Sequence, residues 1–337
     1  MHRQSLLFVC LALCASPLFA QDAPPAPRLE IEALTLYSRY RFVENDADVV
    51  TASQMQAKDS LRARLTLDDR QRFSIHVGAF TGSSFISSWD TTGVGTGAWS
   101  PDAYLKQLYL SAKPIRGIEL QAGGLYVTRG ESTEITTYDE DGYLMGERVA
   151  IRRPAQLYLD ELSVTNAGIG STTTPGVFRR ADMLAHPDYW QVQGVKRFGK
   201  ALSASADVTS AFGARTVRAA VALKLPVASL RFEEYSRVNA NPASGFAVSV
   251  ERSITSHAKV QGGYATVDQF YGGLNADRIQ RGRRVFSIVT VPLPASLSVQ
   301  LFVTRAFDAP YAISNRTRVD AVVSYDVLAA FRRAAGR

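Results

Sequence analysis

The chain has 337 residues, 38 Lys and Arg against 31 Asp and Glu, a formal net charge of +7 and a mean hydropathy close to zero. At about 150 residues per domain this length suits two domains, and it also suits one large β-barrel. There is no block of like charge and no heptad run, and the only long apolar run is N-terminal, so a charged disordered tail, a coiled coil and a helical multi-span protein are excluded.

Residues 1–20, MHRQSLLFVCLALCASPLFA, combine Arg3, an apolar stretch from Leu6 to Leu13 and small residues near Ala20. That is the pattern of a secretory leader, and the proline-rich segment 21–28 (QDAPPAPR) that follows places cleavage after Ala20. Losing Arg3 trims the positive excess by one, and so mild an excess is no nucleic-acid footprint. Both cysteines, Cys10 and Cys14, lie in the leader. A lipid-bearing Cys14 would need a small residue where Leu13 stands. The mature chain is therefore expected to be free of thiols, with neither disulfides nor a thiolate metal site.

From Leu29 onward the dominant signal is period-two alternation. Leu61, Ala63, Leu65 and Leu67 alternate with Arg62, Arg64, Thr66 and Asp68; Phe73, Ile75, Val77 and Ala79 alternate with Arg72, Ser74, His76 and Gly78. The pattern returns at 202–209, at 297–304 and at 319–326. These are two-faced strands of roughly ten residues, the length of a tilted membrane-crossing strand.

The connections alternate too. A polar stretch of about 17 residues follows a first strand at about 29–43, and then come a turn at Asp69–Gln71, a Gly/Ser/Thr-rich loop at about 82–102 and the turn Lys113–Gly117. A segment at about 129–186 is followed by the turn Gly199–Lys200. Short turns then interleave with longer loops to the end. Thirteen connections join fourteen strands, or sixteen if Tyr158–Ile169 pairs with another piece of 170–186. The expected architecture is all-β: a single antiparallel transmembrane β-barrel over 29–328, with short turns on one rim, long loops on the other and a tail at 329–337. Closure is the physical requirement, since an unpaired amide in hydrocarbon costs several kcal/mol and a closed sheet has no edge.

Aromatics placed near strand ends suit two interface girdles: Tyr37, Tyr40, Phe42, Phe73, Tyr126, Tyr189, Trp190, Phe198, Phe246, Tyr264, Phe286 and Tyr325. Two segments fit badly. Glu233-Glu234 leaves one acid facing lipid unless a bulge intervenes, and AYLKQLYLSA chooses no face.

With its leader, segments such as LRARLTLD and SLSVQLFVT, and KPIRG-type turns, the chain resembles the outer-membrane β-barrel proteins of Gram-negative bacteria, in particular the porin-like channels. The resemblance covers about residues 29–328. It implies an outer-membrane location, contact with lipid, passive passage of small hydrophilic solutes through a lumen narrowed by an inward-folded loop, and a homo-oligomer as one arrangement. It implies no enzyme, no cofactor and no nucleic-acid partner. The same barrel also carries hydrolases of envelope lipid and non-conducting binders of a partner, so these readings stay open.

If polar faces line a pore, their charges set ion preference. Wall candidates include Arg62, Arg64, Arg72, Glu119, Arg218, Arg231 and Asp320, with Glu233 and Asp207 among the acids, in near balance. In 129–186, Arg152, Arg153, Arg179 and Arg180 are expected to face Glu131, Glu134, Asp139, Glu140, Asp141 and Glu147 across a constriction; an external loop of solvated charges is the alternative. Asp139, Asp141 and Glu147 weakly suggest calcium without completing a known loop, so no metal is expected. Ser74 and His76 share a strand face but lack an evident third group, so no catalytic residue is assigned.

Overall fold

A computed structural model describes residues 28–335 except positions 86, 101, 153–157, 240–242, 256, 269–281 and 309–315. The leader and Arg153 lie outside the described residues. In chain order the strands are β1 Arg28–Asn45, β2 Val50–Thr66, β3 Phe73–Thr81, β4 Asp90–Gly95, β5 Ala103–Ala112, β6 Ile118–Tyr126, β7 Tyr143–Arg152, β8 Glu161–Gly168 and β9 Tyr189–Phe198. They continue as β10 Leu202–Ala211, β11 Ala214–Lys224, β12 Ser229–Arg237, β13 Ala243–Thr255, β14 Ala258–Val267, β15 Gly282–Pro292, β16 Leu297–Asp308 and β17 Arg316–Asp326.

Apart from β4, which is skipped so that β3 pairs with β5, each strand pairs antiparallel with the next in sequence, and β1 closes the ring on β17 from Thr35↔Asp326 to Asn45↔Arg316. The ring has 16 strands. β4 stands outside it: β3 leaves β2 at Ser60, and β4 takes over the upper part of that edge at Gln54–Ala57. The expected count of fourteen is thus corrected to the alternative, sixteen. The extra pair is β7 and β8, which run through the stretch expected as one loop and leave shorter connections at 127–142 and 169–188; the partner of the 158–169 strand lies before it, at Tyr143–Arg152, and not within 170–186, where a 3-10 helix forms instead. The first loop is also shorter than expected, because β2 begins at Val50. After β17 the chain forms a short helix, α1 Val327–Ala334, capped by the Asp326 carboxylate, which accepts from the Ala329 amide at 2.8 Å.

The alternation resolves into an inner and an outer face. On β11, Thr216, Arg218, Ala220 and Ala222 point inward and are buried, while Val217 and Val221 point outward and are 40% and 39% exposed. Leu36, Val164, Val192, Phe232, Val248, Val285, Leu301 and Val323 continue this exposed apolar belt around the ring. A water-soluble protein rarely leaves so much apolar surface open. Among the described residues no helix is long and apolar enough to cross a membrane. Val221→Arg is therefore expected to destabilise insertion by about 2–4 kcal/mol if it sits near mid-bilayer. Urea titration of folding into lipid vesicles, with Val221→Ile as control, measures this.

Both awkward segments have structural explanations. Glu233 points inward and Glu234 outward, with no register shift between β12 and its neighbours. In AYLKQLYLSA the register shifts opposite Gly78 and Ala79, leaving Lys106 as an extra residue that changes which face follows. The aromatic girdle is smaller than expected. Tyr40, Trp190, Phe246 and Tyr264 face out, while Tyr37, Tyr126 and Phe286 lie on the inner side.

Candidate functional site: a constriction across the barrel

After β6 the chain turns into the barrel instead of away from it. Gly130 has φ +60°, and a Cβ there would lie 2.6 Å from the Ser205 side chain, so glycine permits the loop to touch β10. The Glu131 amide then donates to Ser205 Oγ at 2.8 Å. Three donors converge on Glu233 of β12: the Thr133 amide at 2.7 Å, the Thr133 hydroxyl at 2.5 Å and the Thr136 hydroxyl at 2.5 Å. Arg218 Nε donates to the Thr136 carbonyl at 2.8 Å. Ile135 packs among Tyr235, Ala247, Ala265, Phe286 and Phe302, an apolar patch on the inner wall.

The loop then returns to the opposite side. Asp141 forms ion pairs with Lys58 and, at 3.3 Å, with Arg62, both on β2. Residues 130–141 therefore cross the interior from β10–β12 to β2. Short polar side chains make the path possible, because Thr and Asp hydroxyls and carboxylates satisfy wall groups that water would otherwise hold.

A basic wall faces this loop. Asp320 accepts from Arg39 at 3.3 Å, from Arg41 at 3.1 Å and from Arg318 at 3.1 Å, so three guanidinium groups meet one buried carboxylate. The Trp89 ring, brought in by the 82–102 loop, lies 3.8 Å from the Arg39 guanidinium and edge-on to Tyr37 at 6.2 Å. Between Arg39 and Arg318 on one side and Glu134, Asp139 and Glu140 on the other lies a space of about 180 Å³. A second cavity of about 580 Å³ lies along the β2–β9 wall and includes Arg62, His76, Tyr126 and Arg152.

Burial raises the Asp139 carboxyl to about 7, helped by the nearby acids Glu134 and Asp141. For Asp141 burial acts in the same direction, but the charge and hydrogen bond of Lys58, with Arg62 and Lys106, hold it below the ordinary range. Asp139 is thus neutral below its midpoint and negative above it, with Lys58 on β2, Lys106 on β5, Glu134 and Asp141 as its charged surroundings. Raising the pH from about 6 to about 8 adds negative charge to the constriction and shifts the reversal potential of a salt gradient toward cations. Asp139→Asn is expected to flatten that response.

The expected site residues separate into three groups. Arg62, Arg218 and Asp320 belong to the constriction; Arg218 also bonds Asp207 at 3.0 Å and Thr209 at 2.9 Å. Arg64, Glu119, Arg152 and Arg231 line the inner wall elsewhere. Arg64 pairs with Glu30 at 2.5 Å, and Glu119 accepts from Ser111, Gln121 and Arg152 at 2.7, 3.0 and 2.5 Å. Arg231 borders a cavity of about 320 Å³ with Glu131 and Glu251.

The third group lies off the pore. Arg72 sits in the β2–β3 turn, paired with Asp68 at 3.4 Å. Arg179 and Arg180 belong to a 3-10 helix, Val177–Leu184, which packs against β5, β7 and β8. Gly168 faces outward in phase with Val164, and Met183 fills the space beside it, so this segment lies on the barrel's outer surface. Arg180 is buried there, donating to the Lys106 carbonyl at 2.8 Å and lying 4.3 Å from the Tyr143 ring. Glu147 also faces outward, opposite Asn166, apart from Asp139 and Asp141. Among the described residues no group of three or more His, Cys, Asp or Glu is placed to hold a metal.

Sequence reasoning missed Arg39, Arg41, Lys58, Trp89 and Arg318. For the two β1 arginines the signal was present: in YSRYRF, Tyr37, Arg39 and Arg41 share one phase. Trp89 carries no periodic signal, because a loop delivers it.

No family model matches the chain, and no curated protein matches it. Solved structures do match. OmpF of Salmonella typhi, in complex with daunomycin, is 10% identical over 89% of this chain and 97% of that one, with a TM-score of 0.59. Two mutant porins of Rh. blastica are 10% and 11% identical over 89% of this chain and 100% of theirs, with TM-scores of 0.55 and 0.56. The chain thus shares the closed antiparallel barrel fold of these porins. At these identities what is shared is the fold.

Proposed function

We propose that this protein is a porin-like diffusion channel of the Gram-negative outer membrane, passing small hydrophilic solutes, with lumen charges and residues 127–142 setting its selectivity. The observation that carries this reading is the loop tied across the interior, from Ser205, Arg218 and Glu233 to Lys58 and Arg62. A barrel built only to display external loops has no need of a charged partition across its bore. The partition carries acids facing an arginine wall, a transverse field that orients dipolar solutes. The apolar belt supports contact with outer-membrane lipid, and a homo-oligomer fits the porin likeness. Swelling of protein-loaded liposomes in sugars of increasing size tests the proposal. Monosaccharides are expected to enter and larger oligosaccharides to be excluded, and failure of any sugar to enter overturns the channel reading.

One observation favours the hydrolase alternative: Ser74 Oγ and His76 Nε2 lie 3.0 Å apart, with the His76 ring stacked on Tyr109 at 4.7 Å. Among the described hydrogen bonds no carboxylate orients that ring, while Glu119 is held by Ser111, Gln121 and Arg152. We favour a channel without catalysis. Esterase turnover by the purified barrel that His76→Ala abolishes would reverse that preference.

A further inference from the structure

We propose that the pocket between the β2–β3 and β5–β6 turns is a binding site for the headgroup of an anionic phospholipid, in the leaflet that meets the short-turn rim. The inference rests on the outer-membrane part of the reading above and not on conduction. The Lys113 amide donates to the Arg72 carbonyl at 2.7 Å, which holds the two turns side by side. Between them lies a space of about 680 Å³, within the range of about 300–1,000 Å³ usual for small-molecule sites. Arg70, Arg72, Lys113, Arg116 and Arg152 line it, with Glu119 as the acid among its lining residues.

A positive excess remains once partners are counted. Arg72 pairs with Asp68 at 3.4 Å, and Asp68 also accepts from the Arg72 and Phe73 amides at 2.7 and 2.8 Å, so the turn itself occupies that acid. Arg152 is shared between Glu119 and Glu161, at 2.5 and 3.4 Å. Arg70, Lys113 and Arg116 form no ion pair among the described residues, and Asp69 is the remaining acid of the two turns. Three exposed cations converging on one pocket suit a phosphate diester, whose oxygens accept from guanidinium and ammonium groups. The same pocket has an apolar side, made by Pro114, Ile115 and Ile118. Ile115 is 61% exposed in mid-turn, and Ile118, opposite Ile151, points outward because Glu119 beside it points inward. A headgroup held by the cations leaves its acyl chain to run up that outward face toward Leu110, which is 44% exposed. Free phosphate uses only the cations, and phosphatidylcholine brings a further cation to a site that already holds three.

The test titrates short-chain phosphatidylglycerol, short-chain phosphatidylcholine and glycerol phosphate into the detergent-folded barrel by calorimetry. Phosphatidylglycerol is expected to bind at least about tenfold more tightly than either control. Arg70→Gln, Lys113→Gln and Arg116→Gln together are expected to remove that preference, and Ile115→Ser to weaken the lipid without changing glycerol phosphate. Lys200→Gln, Lys224→Gln and Arg252→Gln together, beside other turns of the same rim, are expected to keep it. All six cations are exposed, so both triple variants are expected to fold, which their compact migration on a gel checks. Equal affinity for phosphatidylcholine, a preference that survives the first triple variant, or one lost in the second overturns the site. Glycerol phosphate binding as tightly as the lipid also overturns it, leaving a site for free phosphate. Single-channel current separates this inference from the channel reading. A lipid preference in a barrel that carries no current keeps the site and removes the channel, while current without the preference removes the site and keeps the channel.

Discussion

Glu233→Ala is expected to widen the channel, raising single-channel conductance on the order of twofold. This carboxylate is 1% exposed and accepts three hydrogen bonds from Thr133 and Thr136, the main polar tether of the loop to the far wall. Hydrogen bonds to a charged group contribute about 1.5–3 kcal/mol each, so their joint loss outweighs what Ser205 and Arg218 still supply. Freed residues 130–136 then swing off β12 and clear the bore. Glu233→Gln keeps an acceptor oxygen and is expected to fall between wild type and alanine. Conductance unchanged in Glu233→Ala would show that Ser205, Arg218 and the Ile135 contacts suffice to hold the loop in place.

Asp320→Ala is expected to lower stability by about 3–5 kcal/mol, since removing one partner of a buried ionic network leaves uncompensated charge. Arg39, Arg41 and Arg318 all donate to this carboxylate, and Arg39 also donates to Gln56 at 2.5 and 3.0 Å. Because these arginines lie on β1 and β17, the damage falls on the seam that closes the ring. The temperature at which the compact form converts to the slower-migrating unfolded form on a gel is expected to drop. The fraction that folds is expected to be more anion-selective than wild type. An unchanged transition would mean that water in the bore, not Asp320, balances the guanidinium groups.

Much of this was legible in the sequence, for a physical reason: a wall wet on one side and greasy on the other writes its phase into every strand. Arg62, Arg218, Glu233 and Asp320 were assigned to the polar face from alternation, and they lie there. The phase failed where the wall is irregular or covered. β7 escaped as a strand because Glu147 puts a polar side chain on the outer face, breaking the apolar stripe, and without it the strand-like 158–169 segment had no evident partner on that side. Arg180 looked like a constriction residue, yet the chain after β8 folds back over the outside and buries it. No periodicity marks how a loop lies, so Trp89 above the arginines and the cross-barrel path of 130–141 emerge only from tertiary contacts such as Arg39 with Trp89 and Thr136 with Glu233.

The barrel residues carry no cysteine, since Cys10 and Cys14 both precede β1, which allows one thiol to be placed at will. Current through single channels of Glu134→Cys and of Val221→Cys, recorded while a bulky, water-soluble thiol reagent is added, asks whether the loop stands in a water-filled bore and the valine in hydrocarbon. The structure predicts a stepwise drop in current for Glu134→Cys and none for Val221→Cys. Steps in Val221→Cys alone, or an unaffected current in Glu134→Cys whose thiol has reacted, would contradict it.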